Sequence, residues 1–372
     1  MHIAIDARRY DSGMWIYLSS LIHHLQDIDT SSEYTLIAHA DKMKEFHIHA
    51  TNFHVMPTDV AIENHLSGEW MRHVVLPRRL LARGVEVFHD PGYFLPVLGG
   101  RLRKVVTFHD MVPFLHQETN SRKFFTYMRS VMRVSARIAD VIIADSLNTK
   151  QDIIRILNVP ERKIEVIYLA ARELFQPLDD CDRIHAACRK IGLAGPYILN
   201  VGTIEPRKNI PRLLEAFHHL RKTCSIPHKL VIVGPMGWLY KPVQHKIHRL
   251  GLDKHVLLPG YVEDNDLVSL YNGTDLFIFP SLYEGFGLPP LEAIACGAPV
   301  AASNTSCLPE ILGDAAVYFD PYDPDQITSA IMQIIHQPRF AGELRRRGPL
   351  RAANFTWRRT AELTMRIYQN IS

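Results

Sequence analysis

The chain has 372 residues, of which 47% are hydrophobic and 22% charged, and its formal net charge is +3. This length suits two domains, and the composition is that of a globular protein; no window reaches the ~18 uninterrupted apolar residues of a membrane span. A net charge this close to neutral, without a recognition motif, disfavours nucleic-acid binding.

The N-terminal residues and the cysteines indicate the compartment. MHIAIDARRY lacks the basic start, apolar stretch and cleavage site of a signal peptide, and it is typical of a first strand. The five cysteines are odd in number and show no C-x-x-C spacing, which argues against a disulfide framework or a zinc site. We therefore expect a cytoplasmic protein.

The first half alternates strand-like apolar runs with helical patterns, which predicts a parallel sheet with helical crossovers. The strand-like runs are HIAIDA (2–7), YTLIAHA (34–40), VEVFHD (85–90), KVVTFHD (104–110), DVIIADS (140–146) and KIEVIYL (163–169).

A basic segment, SRKFFTYMRSVMRVSARIAD (121–140), places four arginines beside aromatic residues in a helical window. One interpretation is a solvated helix whose apolar face packs on the core. The other is a surface that rests on anionic lipid, with peripheral contact at the inner membrane face through residues 121–140.

A polar stretch, QPLDDCDR (176–183), separates this half from a second series of strand-like runs. We predict an α/β protein with two doubly wound, Rossmann-like domains, residues 1–175 and 176–354, and a ligand cleft between them. The helical pattern near the C-terminus, about 355–372, can cross back and pack on the first domain. The second-half runs are YILNVG (197–202), KLVIVG (229–234), VLLPG (256–260), DLFIFP (275–280), PVAAS (299–303) and AAVYFD (315–320).

Arg207 and Lys208 stand just before a predicted helix that starts at Asn209. Cations beside a helix N-terminus cost roughly 0.3–1 kcal/mol each, because they meet the positive end of the helix dipole. Two adjacent cations therefore indicate a bound anion, although a solvated basic pair remains the alternative.

Two acids, Glu284 and Glu292, bracket a glycine-rich turn in SLYEGFGLPPLEAIACGAPV (281–300). A phosphate held by Lys208, Arg207 and the amides of 286–288 leaves Glu292 to accept hydrogen bonds from ribose and Glu284 to face the group that the phosphate carries. Taken singly, each acid is better explained as an ordinary residue, Glu292 as an acid in the first turn of a helix and Glu284 as an exposed loop acid. Together with the basic pair, the layout predicts a sugar-nucleotide site, with the base near Gly234 and Tyr261-Val262.

Glu284-x7-Glu292, preceded by VGTIEPRKN, resembles the donor half of the retaining glycosyltransferases of family 4, which have the two-domain GT-B fold. MHIAIDARRY, TFHDMVPF, VIIADS and IEVIYLA resemble the family's N-terminal half. The resemblance implies metal-independent sugar transfer from a nucleoside diphosphate sugar with retention of configuration. It assigns Lys208 and Arg207 to the diphosphate, Glu292 to ribose, Glu284 to the transferred sugar and His109 to the cleft beside them.

The loop after the first strand departs from the family pattern. Family members commonly carry Gly-x-Gly there, whereas this chain keeps Gly13 and has Trp15 at the second glycine. Trp15 can pack out of the way, stack on an acceptor or block the site. Thr203 is a second departure, because many relatives have arginine there, and Arg207 is the candidate that supplies this charge.

We therefore predict a hexosyltransferase that uses a nucleoside diphosphate sugar, with mannose from GDP-mannose as first candidate, and a glycan or lipid-linked glycan acceptor. No metal ligand and no cofactor are expected. A non-catalytic sugar-nucleotide-binding subunit and a GT-B epimerase or hydrolase remain alternatives. The predicted catalytic residues are His109, Lys208 and Glu284, and the predicted nucleotide-sugar contacts are Gly13, Arg207, Lys208, Gly234, Val262, Phe286, Gly287, Leu288 and Glu292.

Overall fold

The computed structural model describes residues 1–8, 12–39, 42–58, 65–119, 121–224, 226–235, 237 and 240–371. The chain divides into two compact units, the first formed by Met1–Leu169 with Thr356–Ser372 and the second by Ala170–Phe355. Among the described helices, none is both long enough and apolar enough to cross a membrane.

The first unit contains a seven-stranded sheet in the order β3-β2-β1-β4-β5-β6-β7, and every pairing is parallel. The strand order reverses between β1 and β4, and loops at the carboxyl ends of such strands face a ligand crevice in α/β folds. The strands are β1 (His2–Asp6), β2 (Glu33–His39), β3 (Phe53–Thr58), β4 (Val87–Asp90), β5 (Arg103–Phe108), β6 (Val141–Ala144) and β7 (Ile164–Val166).

Strand β3 is the one strand of this sheet that the sequence patterns did not predict. It contains Pro57, which cannot donate to a neighbouring strand, and it lies at the edge of the sheet, where proline is tolerated. Its short run with alternating burial gave too weak a signal to separate it from a loop.

Helices cover this sheet, and side-chain caps start two of them. The Ser121 side chain accepts a hydrogen bond from the Phe124 amide at the start of α5, and Ser146 accepts one from the Thr149 amide at the start of α6. The helices are α1 (Ser12–Ile28), α2 (His65–Trp70), a π-helical turn (Met71–Val75), α3 (Leu76–Ala82), α4 (Val112–Leu115), α5 (Arg122–Ile138) and α6 (Leu147–Leu157).

The C-terminal helix α15 (Trp357–Ile371) belongs to this first unit. It packs along α1, and the Thr360 hydroxyl donates to the Tyr168 carbonyl at 2.7 Å. The buried Tyr368 hydroxyl and His89 Nδ1 form a 2.6 Å hydrogen bond under the sheet, and His89 Nε2 bonds the Thr107 hydroxyl. These contacts fix the helix on the unit.

The second unit contains a six-stranded parallel sheet in the order β10-β9-β8-β11-β12-β13. The strand order reverses between β8 and β11, so the loops that follow these two strands are neighbours. The strands are β8 (Tyr197–Val201), β9 (Lys229–Val233), β10 (Val256–Gly260), β11 (Leu276–Phe279), β12 (Val300–Ser303) and β13 (Ala316–Phe319).

The helices of the second unit follow its strands in the same alternation. Asn209 precedes α8 as predicted, but its side chain donates to the Pro321 carbonyl and does not cap the helix. The predicted pair of doubly wound parallel sheets is confirmed. The helices are α7 (Cys181–Lys190), α8 (Ile210–Thr223), α9 (Tyr240–Arg249), α10 (Asp264–Gly273), α11 (Leu288–Ala295), α12 (Leu308–Leu312), α13 (Pro324–Ile335) and α14 (Pro338–Ala352).

Candidate active site

Three glycine turns follow the neighbouring strands β8, β9 and β10. The Gly202 amide donates to the Val233 carbonyl and the Gly234 amide to the Gly260 carbonyl, both at 2.9 Å. Gly234 has φ +145°, and a Cβ there would collide with the Gly202 carbonyl. A side chain at 234 would therefore separate the turns, which explains the glycine at this predicted contact position.

The loops after β8 and β11 bring together a carboxylate and two cations. Lys208 Nζ lies 2.6 Å from Glu284 Oε1, and Arg207 Nη1 lies 2.6 Å from Glu284 Oε2. The Ser281 hydroxyl also donates to Glu284 Oε1 at 2.6 Å. All three charged side chains are at most 13% exposed. We call Arg207, Lys208 and Glu284 the charged triad.

Glu284 is ionised at neutral pH. Burial alone would raise the pKa of Glu284, but Arg207 and Lys208 outweigh it and lower that pKa to about 2. Burial lowers the pKa of Lys208, and the Glu284 carboxylate opposes this shift. Arg207 also binds a second carboxylate, with Nη2 2.6 Å from Glu205 Oε1.

The N-terminus of α11 lies directly after this carboxylate. Gly287, at φ +87°, precedes the helix, and a Cβ there would come within 2.9 Å of the Leu308 side chain. Pro289 and Pro290 carry no N–H, so the amides of 286–288 are the donors that an anion at this helix end can use. Phe286 is buried against Phe355, so a ligand reaches its backbone and not its ring.

Glu292 lies inside the second unit and is only 5% exposed. The Tyr271 hydroxyl donates to Glu292 Oε2 at 3.3 Å. Burial raises the pKa of Glu292 to about 7, against the opposing charge of Arg172, which itself binds Asp264 through two hydrogen bonds of 2.6 and 2.8 Å. The predicted ribose acceptor is thus close to half protonated at neutral pH.

Sequence reasoning missed Arg172 and Tyr271 as neighbours of Glu292. Arg172 lies between the strand-like run at 163–169 and the polar stretch at 176–183 and belongs to no motif, and Tyr271 belongs to an ordinary helix, α10. Val262, a predicted base contact, is buried at the end of the loop after β10, beside the exposed Tyr261.

In the first unit, His109 follows β5 and uses both ring nitrogens. Nδ1 lies 2.6 Å from Asp145 Oδ2 and Nε2 lies 2.7 Å from the Pro91 carbonyl. Because both partners are acceptors, both nitrogens carry a proton. Burial would lower the pKa of His109, but Asp145 outweighs it and raises that pKa to about 9. His109 is therefore a cation at pH 7.

Sequence reasoning also missed Asp145. It ends the strand-like run VIIADS, and β6 neighbours β5, so the position of both residues after adjacent parallel strands was the available signal.

Gly13 and Trp15 lie in the first turn of α1. Gly13 is exposed, and a Cβ at this position would meet nothing within 4 Å. The Trp15 ring packs on Phe46, with ring centroids 5.0 Å apart. Of the three interpretations, packing within the first unit therefore has direct geometric support. Residues 9–11, which join β1 to α1, lie outside the described residues.

In the described ranges, no group of three or more His, Cys, Asp or Glu side chains is placed to hold a metal ion.

Comparison with known proteins identifies two matching families along the chain. Residues 12–171 match the family described as Glycosyltransferase Family 4, and residues 189–351 match the family described as Glycosyl transferases group 1. The boundary between the two matches falls in the linker region of the sequence.

Two curated relatives are bacterial enzymes. The chain is 34% identical over 285 residues to O-antigen chain mannosyltransferase B of Escherichia coli, an alignment that spans 76% of this chain and 74% of the relative. It is also 34% identical over 277 residues to serotype-specific mannosyltransferase WbdA of Escherichia coli, covering 71% of this chain and 33% of WbdA.

Solved structures share the fold over the whole chain. Anabaena HepE in complex with UDP-glucose has a TM-score of 0.80 at 17% identity and covers 100% of both chains. WaaG, a glycosyltransferase involved in lipopolysaccharide biosynthesis, has a TM-score of 0.76 at 14% identity and covers 98% of this chain and 99% of its own. At these identities the likeness concerns the fold.

Proposed function

Because the chain belongs to the family 4 glycosyltransferases, we propose that it transfers mannose from GDP-mannose to a glycan or lipid-linked glycan acceptor. The proposed reaction retains the anomeric configuration and uses no metal ion. The chain is a glycosyltransferase. The proposal concerns its donor, the stereochemistry of the transfer, the independence of metal and the acceptor.

The observation that carries the proposal is the charged triad beside the N-terminus of α11. Arg207 and Lys208 both bind the carboxylate of Glu284. Two buried cations that already bind one anion are suited to exchange it for another, and a diphosphate offers more negative charge. We propose that the diphosphate of the donor binds Lys208, Arg207 and the amides of 286–288.

This exchange would release Glu284 toward the sugar. Its carboxylate can then accept hydrogen bonds from sugar hydroxyls, as the family resemblance implies. The remaining chemical requirement is the stabilisation of charge on the departing diphosphate, which fixed cations and helix amides supply without reorganisation. Lys208 and Arg207 would thus take the place that a metal ion has in other transferases.

The proposed ribose contact requires an ionised Glu292. Because burial raises its pKa to about 7, a protonated Glu292 can donate where a carboxylate would only accept. A ribose diol binds best when the Glu292 carboxylate accepts a hydrogen bond from each of the two hydroxyl groups. We therefore expect nucleotide affinity to weaken as the pH falls below about 7.

The names of two relatives support mannose as the transferred sugar and an O-antigen glycan as the acceptor class. The test is a thermal-shift panel of GDP, UDP, ADP and dTDP, followed by a transfer assay with the sugar nucleotide of the responding base. We expect GDP alone to raise the melting temperature strongly, and K208M to remove this rise. A larger response to UDP would overturn GDP-mannose as donor.

The acceptor assay also separates the enzyme from its alternatives. A sugar-nucleotide hydrolase or epimerase consumes the donor without an acceptor, whereas a transferase needs one. GDP-mannose consumption that is unchanged by adding an O-antigen acceptor would contradict transfer.

We also propose peripheral membrane contact through α5. The sequence of this helix, RKFFTYMRSVMRVSARI, contains no acidic residue, and its exposed face carries basic side chains beside Phe124 and Val134, each 43% exposed. Basic and apolar side chains on one exposed helix face suit an anionic lipid surface. Sedimentation with phosphatidylglycerol vesicles tests this, and binding that R133E leaves unchanged would contradict it. The exposed basic residues are Arg122, Lys123, Arg133 and Arg137.

A further inference from the structure

A cavity of about 400 Å³ opens at the amino ends of β5 and β6 in the first unit. Its charged lining consists of Arg101, Arg103, Lys104 and Asp140, and Ile138 at the end of α5 contributes an apolar side. Strands run in parallel here, so this cavity lies at the opposite edge of the sheet from His109. We call it the amino-edge cavity.

Lys104 is the side chain that makes this cavity unusual, because it is only 6% exposed. Its ammonium group forms one long hydrogen bond, 3.4 Å to the Val97 carbonyl, and no described carboxylate lies within ion-pair distance of it. Burial lowers the pKa of Lys104, and the more distant Asp140 only partly opposes this. A buried ammonium without a close counter-charge is costly unless a ligand supplies one.

Asp140 does not supply this counter-charge, because its carboxylate is already engaged. Its Oδ2 accepts the Lys104 backbone N–H at 2.7 Å, and its Oδ1 lies 3.6 Å from Arg103 Nη1. The lining therefore carries three cations against one acid.

The negative end of the α5 helix dipole, which lies beside the cavity, is offset by a lysine. Carbonyl groups at a helix C-terminus repel negative charge. Here Lys163 Nζ donates to the Arg137 and Ala139 carbonyls at 3.2 and 2.8 Å, which offsets that charge.

We propose that the amino-edge cavity binds a phosphate group, held by Lys104 with Arg101 and Arg103. A volume of about 400 Å³ lies in the range of small-ligand pockets, roughly 300–1,000 Å³, so a phosphate ester has room there. Two sources share this chemistry: the headgroup of an anionic phospholipid and a free phosphate. Val97, whose carbonyl accepts the Lys104 hydrogen bond, and Leu98 are about half exposed in the loop that precedes the lining residues, and their apolar side chains are ones that a lipid would contact.

This site is independent of the proposed function. Lys104 and His109 are five positions apart along β5 and the residue after it, a distance of about 17 Å at ~3.3 Å per residue. Occupation of the amino-edge cavity therefore does not require donor binding, and its failure would leave the proposed reaction untouched.

The experiment compares the full-length protein with K104M, R101M and R358M. K104M keeps the side-chain length and removes the buried charge, and R101M removes a charge from an exposed lining position. R358M is the matched control, because Arg358 is a 69% exposed cation of α15 that pairs with Glu362. Each protein is titrated with inorganic phosphate and, separately, with vesicles of phosphatidylglycerol or phosphatidylcholine.

We expect K104M to bind at least fivefold more weakly than R358M in one of the two arms. Phosphate binding at Arg207 and Lys208 is common to all four proteins, so this difference reports on the cavity. A loss confined to phosphatidylglycerol vesicles identifies a lipid headgroup, and a loss with inorganic phosphate identifies a free phosphate. If K104M does not fold, R101M decides by the same criterion. Equal binding by K104M, R101M and R358M in both arms overturns the proposal.

Discussion

At the scale of single residues, Glu284 has two opposing effects on its neighbours. Its carboxylate stabilises Arg207 and Lys208 in the ligand-free protein, and the same carboxylate competes with an incoming diphosphate. When Glu284 is neutralised, the stability of the protein without nucleotide and its affinity for nucleotide therefore change in opposite directions.

We predict that E284Q binds GDP about 3–10-fold more tightly, because the two cations lose their internal anion, while sugar transfer falls at least 100-fold. Without nucleotide, the variant should lose about 3 kcal/mol of stability, since the buried Lys208 loses its carboxylate partner and Arg207 keeps only Glu205. Calorimetric titration and a transfer assay measure the two effects. E215Q, which removes an exposed carboxylate paired with Lys246, should change neither, and weaker GDP binding by E284Q would contradict the exchange.

Glu292 predicts a pH dependence of stability with a defined sign. Its pKa is about 7 in the folded protein and 4.5 by its ordinary value, so folding favours the protonated form and stability falls as the pH rises from about 4.5 to 7. We predict that E292Q melts about 3–8 °C higher than the parent at pH 8.5, with little difference at pH 5. The same variant should bind GDP more weakly. An equal melting shift at both pH values would rule out titration of Glu292 as the cause.

His109 has a pH dependence of the same sign in a higher pH range, because its folded-state pKa is also raised, from 6.5 to about 9. The stabilisation by Asp145 is fully present below about pH 6.5 and is lost as the pH rises through about 9. We predict that the melting temperature of the parent falls between pH 7 and 9.5, and that D145N lowers the melting temperature at pH 7 and removes most of this fall. A D145N profile parallel to that of the parent would show that the Asp145–His109 pair does not titrate there.

These residues also show how far the sequence alone could go. The basic pair and Glu284 were predicted to converge because each follows a strand and carries charge that a loop does not need. Asp145 and Arg172 were not predicted, because the first required the pairing of β6 with β5 and the second contacts Asp264, which lies 92 positions further along the chain. Chain-local patterns identify the ends of strands, whereas partners brought from distant segments need the topology.

At the scale of elements, the position of Trp15 in α1 favours the interpretation that its ring packs within the first unit. The ring lies in the first turn of a regular helix and packs on Phe46, which is 4% exposed. A glycine at this position would remove that packing and lower the helix propensity by about 1 kcal/mol.

We therefore predict that W15G destabilises the first unit by about 2–4 kcal/mol and gives no gain in donor affinity or transfer. W15L is the matched variant, because it keeps the helix propensity and part of the apolar contact, and it should lose about half as much. Melting curves and a transfer assay on the three proteins provide the test. An increase in transfer for W15G would revive the interpretation that the ring blocks the site.

Elements also explain why the strands were easier to predict than their order. Most strands of both sheets are apolar runs of four to six residues that are buried on both faces, as in parallel sheets with helices on each side. The edge strands depart from this pattern, because β7, β10 and β13 are partly exposed and β3 is partly exposed and contains Pro57. The strand order was not predicted, because the choice of neighbouring strands depends on how distant segments pair and not on the local pattern of one run.

At the scale of the whole molecule, the first unit is assembled from two separate parts of the chain. Helix α15 covers α1 and places Tyr368 in a buried hydrogen bond with His89. Burial lowers the pKa of His89 to about 3, so the His89 ring in this hydrogen bond is neutral at pH 7.

We predict that deletion of residues 356–372 exposes the core of the first unit and makes residues 1–169 sensitive to limited proteolysis, while residues 170–355 stay resistant. Y368F, which removes one hydroxyl and keeps the ring, should cost only about 1 kcal/mol and leave the protease pattern unchanged. Mass spectrometry of the fragments locates the cuts. Protection of residues 1–169 in the deletion variant would contradict a structural role for α15.

The discontinuous first unit has a consequence for synthesis on the ribosome. Residues 170–355 form one compact unit that is translated before α15, whereas the first unit needs both residues 1–169 and α15. The N-terminal part, although translated first, can therefore complete its packing only after the whole second unit has been translated. Until α15 emerges from the ribosome, α1 lacks the helix that covers it, and the apolar surface left exposed is open to aggregation.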